Sequence, residues 1–147
     1  MIDEDVVAVL HRLIETCRDA ERGFKTAAES VSDPAVQRLF LTYARQRREF
    51  ARELGDEVHR LGGAPPRGGS LLGALHRTVI NIRAAVSGRD ERAVLQEAAR
   101  GEEAALSAYE DVLRRAGVRA EVRTVIERQA LRVRDALERL RDLDRAA

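Results

Sequence analysis

Apolar residues recur at steps of three and four along four stretches of this chain, each with room for some 25 residues, or about 37 Å of helix. No stretch alternates with period two, so the pattern predicts helices and no strand. Four amphipathic faces of that length must bury one another. The first seam runs Val6, Leu10, Leu13, Cys17, Ala20, Phe24, Ala27, Val31; the second Val36, Phe40, Tyr43, Arg47, Phe50, Leu54, Val58, Leu61. The third long seam runs Val94, Ala98, Glu102, Ala105, Tyr109, Val112, Ala116; the fourth Val122, Ile126, Gln129, Val133, Ala136, Leu140, Leu143. Such spacing packs helices at shallow crossing angles, as in four-helix bundles.

Punctuation divides the chain into five helical segments, about 4–31, 34–61, 71–87, 91–116 and 119–145. Asp33 reads as a cap with Pro34 as the first helical residue, where its missing N–H costs nothing. The run from Gly62 to Gly69 is the one long loop, and Ser70 caps the third segment. Gly88 and Asp90 separate the third segment from the fourth, and Gly117 is a left-handed residue after a helix end. The short third segment carries the stripe Leu72, Leu75, Val79, Ile82, Val86. That stripe needs a cover, either the protein's own bundle or a partner. The expected architecture is all-α: one domain over 1–147, with four long helices and a long crossover bearing one short extra helix.

The 147 residues suffice for one core. Twenty-six basic against 25 acidic side chains leave a net charge of +1, without the basic surplus of a nucleic-acid binder. No apolar run reaches the ~18 residues of a membrane span. The acidic opening Met1-Ile2-Asp3-Glu4-Asp5 is unlike a signal peptide. A single cysteine, Cys17, excludes an internal disulfide and suits a reducing compartment. These features suggest a cytoplasmic protein.

The seams are apolar except at one level. Cys17 with Glu21 on the first helix, Arg47 on the second, Glu102 on the third long helix and Gln129 on the last fall at similar heights. Tyr109 and Tyr43, about a turn away, offer hydroxyls. A charge in an apolar seam is costly unless paired. Arg47 therefore needs acceptors, and Glu21 and Glu102 are the natural ones. One reading is a buried polar layer that fixes helix register. The other is a metal or small-ligand site.

Di-metal bundles take a Glu from each of two helices and a Glu-x-x-His from each of the others. Here the residues three before His11, His59 and His76 are Ala8, Asp56 and Gly73, and the last helix has no histidine. Only a carboxylate site from Glu21, Glu53 and Glu102 remains open to iron or another divalent ion. The exposed run Arg45, Arg47, Arg48, Arg52, interrupted by Glu49 and Glu53, reads as a salt-bridged helix face.

Four stretches carry a resemblance: Cys17-Arg18-Asp19-Ala20-Glu21-Arg22-Gly23-Phe24; Gln46-Arg47-Arg48-Glu49-Phe50 with Glu53-Leu54; Arg60-Leu61-Gly62-Gly63; and Arg100-Gly101-Glu102-Glu103-Ala104-Ala105 with Tyr109-Glu110. The chain resembles an uncharacterised bacterial family of ferritin-like four-helix-bundle proteins, a domain of unknown function. The resemblance implies a ferritin-like bundle with an inserted crossover helix and no established activity. Against the metal-binding ferritin-like pattern, Glu102 matches a ligand. Cys17 stands where a Glu is expected, and Arg47-x-x-Phe50 where Glu-x-x-His is expected, which weighs against iron storage and ferroxidase activity. The reading is a non-enzymatic, self-associating helical protein with a structural polar layer and no cofactor. Its alternatives are a metal or redox, stress-related protein using the carboxylates, and a binder of a small polar ligand at Arg47.

Overall fold

The computed structural model describes residues 3–66 and 90–147, and all structural statements refer to these. They hold four helices and no strand: α1 (Asp3–Glu29), α2 (Pro34–Arg60), α3 (Glu91–Leu113) and α4 (Ala120–Ala146). The expected crossover helix 71–87, with its stripe from Leu72 to Val86, its Ser70 cap and His76, lies outside the described residues.

Local chemistry sets the helix ends. The Asp33 carboxylate accepts from the Ala35 N–H at 2.9 Å with Pro34 next in line, and Asp90 accepts from the Arg92 N–H at 3.0 Å. Each takes one of the donors that a helix start leaves unpaired. Gly62, at φ 81°, turns the chain after α2, and Gly117, at φ 89°, lies beyond α3. The third long helix stops at Leu113, three residues short of the expected Ala116, which is exposed. Arg123 explains the early stop. Its guanidinium donates to the Leu113 carbonyl from both terminal nitrogens, each at 2.8 Å, and satisfies the helix C-terminus from α4.

Contacts at the two ends give the directions. Ser32, between α1 and α2, donates to Glu91 at the start of α3, and Arg92 pairs with Asp144 at the end of α4, 2.9 Å. At the other end His11 meets the Ala64 carbonyl at 2.7 Å. Thus α1 and α4 run one way, and α2 and α3 the other. The neighbours around the bundle are α1 with α2, α2 with α4, α4 with α3, and α3 with α1. Every neighbouring pair is antiparallel. None of these helices is long and apolar enough to cross a membrane.

Two apolar clusters fill the interior. One holds Leu10, Leu13, Ile14, Leu54, Val58, Val122, Ile126 and Val133. The other, at the Ser32 end, holds Phe24, Ala27, Phe40, Tyr43, Val94, Ala136 and Leu140. Arg47 lies between them, by Phe24 of one cluster and Phe50 of the other, whereas Cys17 and Tyr109 belong to the first.

Candidate functional site

Arg47 is the largest fully buried side chain, only 1% exposed, and Glu102 beside it is 2% exposed. They reach each other diagonally across the bundle, from α2 and α3. Both terminal nitrogens of the guanidinium donate to the two carboxylate oxygens of Glu102, a bidentate pair. Burial alone would lower the guanidinium's proton affinity; the Glu102 charge and its hydrogen bonds raise it above its ordinary value. The cation also lies over two rings, with Cζ 5.4 Å from the Phe24 centroid and 5.9 Å from that of Phe50. Ring faces attract a desolvated cation. The third guanidinium nitrogen, Nε, has no hydrogen-bond partner among the described residues.

A second cluster lies toward the α3–α4 turn. Glu102 and Tyr109 are two turns apart on α3, or about 10 Å. The Tyr109 hydroxyl donates to Gln129 Oε1 at 2.7 Å and lies 3.1 Å from Cys17 Sγ. The Gln129 amide donates to the Phe50 carbonyl and to Glu53, each at 3.3 Å. Glu53 also pairs with Arg128 at the surface. One chain of hydrogen bonds thus touches all four helices. Burial pushes the Cys17 thiol up to about 11 and the Tyr109 phenol well above its usual range. Both favour the protonated form near neutral pH.

Cys17, Arg47, Glu102, Tyr109 and Gln129 are all buried between the helices. Glu21 is not among them. It sits one residue off the seam, after Ala20, and pairs with Lys25 at 2.8 Å, four residues along the same helix. Its proposed role as an acceptor for Arg47 is therefore corrected: Glu102 takes both terminal nitrogens alone. Among the described residues the Tyr43 hydroxyl adds no hydrogen bond; its ring packs on Phe24, centroids 5.3 Å apart. The three carboxylates considered for a metal face three different cations. Glu21 is on Lys25, Glu53 on Arg128 and Glu102 on Arg47. Among the described residues no group of three or more His, Cys, Asp and Glu side chains is placed to hold a metal ion.

Sequence reasoning missed the ring pair around Arg47 and the Arg128 clamp on Glu53. The Arg47–Phe50 spacing of three was a usable signal for one ring, since i and i+3 share a helix face. The Arg128 clamp depends on how α2 and α4 align, which no local spacing encodes. The α2 arginine face also differs from expectation. Arg47 points inward, and Arg45 and Arg48 are exposed with no ion-pair partner among the described residues; only Arg52 is salt-bridged, to Glu49 and Asp56.

A family model described as a domain of unknown function (DUF2383) matches residues 5–115, 111 of the 147 residues. The comparison with curated proteins returned no match.

Proposed function

We propose, from the premise that this chain belongs to the DUF2383 family, that it is a non-catalytic, ferritin-like helical bundle of the bacterial cytoplasm that acts by associating with copies of itself. The observation that carries this reading is the closure of the buried layer. Arg47 gives both terminal nitrogens to Glu102, Tyr109 joins Cys17 to Gln129, and Gln129 ends on the Phe50 carbonyl and Glu53. Groups so engaged fix the helix register and leave little to hold or activate a substrate. A fixed cation at mid-bundle also repels a divalent ion at the level where bundle proteins of the di-iron type bind theirs.

The test is elemental analysis of protein purified without a histidine tag and reconstituted aerobically with iron. The expected content is less than about 0.2 iron per chain, because the histidine ligands of that site type are absent. One or two tightly held ions per chain would overturn the reading in favour of a carboxylate metal protein. The orphaned Arg47 Nε favours one second reading, a small acceptor ligand held at that nitrogen. A ligand retained by native protein and lost from Arg47→Met would establish it.

A further inference from the structure

Two large apolar side chains stand exposed among the described residues: Leu41, at 46%, and Leu131, at 53%. Each lies in a helix stripe of one charge sign. On α2 the stripe is Arg38, Leu41, Arg45, Arg48, Arg52, and residues 34–48 contain no acid. On α4 it is Glu127, Leu131, Asp135, Glu138, Asp142. At 100° per residue each stripe spans an arc of about 80°, so its members share one outward face. All ten side chains are exposed.

The stripes match in register as well as in sign. Counting from Leu41, arginines stand at +4, +7 and +11; counting from Leu131, acids stand at +4, +7 and +11. Beyond the leucines in the other direction come Arg38 at −3 and Glu127 at −4. Two such helices laid parallel, leucine beside leucine, bring Arg45 to Asp135, Arg48 to Glu138 and Arg52 to Asp142. The contact runs roughly 21 Å.

The charges are available. Arg38, Arg45, Arg48 and Glu138 have no ion-pair partner among the described residues. Glu127 and Asp135 have only distant partners on their own helix, Arg123 at 4.0 Å and Arg132 at 3.9 Å. Asp142 pairs locally with Arg145, and Arg52 with Glu49 and Asp56. Exposed pairs of this kind are weak and screened by water, so exchanging them costs little. The arginines that flank the α4 stripe are mostly neutralised: Arg128 by Glu53, Arg134 by Glu110 and Arg141 by Glu103, with Arg139 the exception.

We infer that the basic α2 stripe around Leu41 docks on the acidic α4 stripe around Leu131 of a second copy of this chain. The inference rests on the self-associating reading above and names its surface. The two stripes lie on different helices, so each copy offers one stripe of each kind to the contact.

Sedimentation velocity of the full chain at tens of micromolar tests it. The charge contact is expected to give a species heavier than one chain at low salt. That species should dissociate as the screening length falls from roughly 14 Å at 0.05 M salt to roughly 4 Å at 0.5 M. The double variants Arg45→Glu/Arg48→Glu and Asp135→Arg/Glu138→Arg should each be monomeric alone, with unchanged helix content. Mixed together they should assemble again, because the reversed α2 of one then faces the reversed α4 of the other. Association that survives both reversals would overturn this surface and leave self-association standing. A wild-type chain that stays monomeric at low salt would overturn both.

Discussion

Arg47 and Arg48 are neighbours in α2 and have opposite surroundings. Arg47 faces inward, locked on both oxygens of Glu102 and flanked by Phe24 and Phe50. Arg48 faces outward with no carboxylate within ion-pairing distance among the described residues. The inner face of the helix pairs its charge inside the bundle, and the outer face exposes it. The residue type sets neither outcome. A rotation of 100° along the helix does, by changing the dielectric around the charge.

The sharpest way to break this contrast is to truncate the inner arginine. Arg47→Ala leaves Glu102 buried without its cation, and should cost on the order of 3–5 kcal/mol of unfolding free energy. A denaturation midpoint equal to that of Arg48→Ala would remove the distinction between the faces. Arg47→Met separates pairing from packing. If that variant is as stable as wild type, the pair supplies register rather than stability, because an apolar chain can replace a buried ion pair at little loss.

The inner face should also respond to alkali. The folded thiol of Cys17 ionises at about 11, against an ordinary value of 9.0. An acid with a raised folded pKa favours the native state below its unfolded pKa. Stability therefore falls as pH rises from about 9 to about 11, by up to about 3 kcal/mol for a shift of that size. Tyr109 and Tyr43 are raised too, and carry the decline to higher pH. Cys17→Ala should flatten the first part of the curve. Identical curves for variant and wild type between those pH values would show that Cys17 is open to solvent.

A smaller effect is expected from Tyr109→Phe. Removing the hydroxyl leaves Gln129 Oε1 and the Cys17 thiol without their shared partner, at a cost of about 1–2 kcal/mol. Adding Gln129→Met removes the stranded oxygen, so the double variant should lose less than the sum of the two single changes. Strict additivity would mean that the two side chains act independently.

Much of the fold was legible in the sequence because it is periodic. The steps of three and four located all four helices, and Asp33-Pro34, Asp90 and Gly117 marked their limits. Helix α3 ended early for a non-local reason, the reach of Arg123 from α4. The inward residues Cys17, Arg47, Glu102, Tyr109 and Gln129 were legible as polar interruptions of apolar seams. Their pairing was less so. Glu21 and Glu102 looked equivalent as acceptors, yet a seam offset of one residue and a Lys25 four residues away leave Glu21 half-buried at the rim, paired along its own helix. Periodicity gives the face of a side chain to within about a residue, whereas pairing is decided by a few ångströms of alignment between helices that are distant in sequence.

The smallest expected effects belong to the outer face. Arg45 and Arg48 are three residues apart and repel weakly, as do Arg48 and Arg52. In dilute protein, Arg48→Ala should change stability by less than about 0.5 kcal/mol. If the outer face is only solvated, the sign at low salt should be slightly stabilising, because two weak repulsions are removed. Raising the salt to 0.5 M should then erase the difference by screening. A loss above about 1 kcal/mol in dilute protein would mean that this face packs within its own chain and is not free. A loss that appears only as protein concentration rises would instead show Arg48 contributing to contact between copies, since mass action stabilises the folded state through whatever binds it. The dilute and concentrated limits of one substitution thus decide whether the outer face of α2 is solvent-facing or an interface.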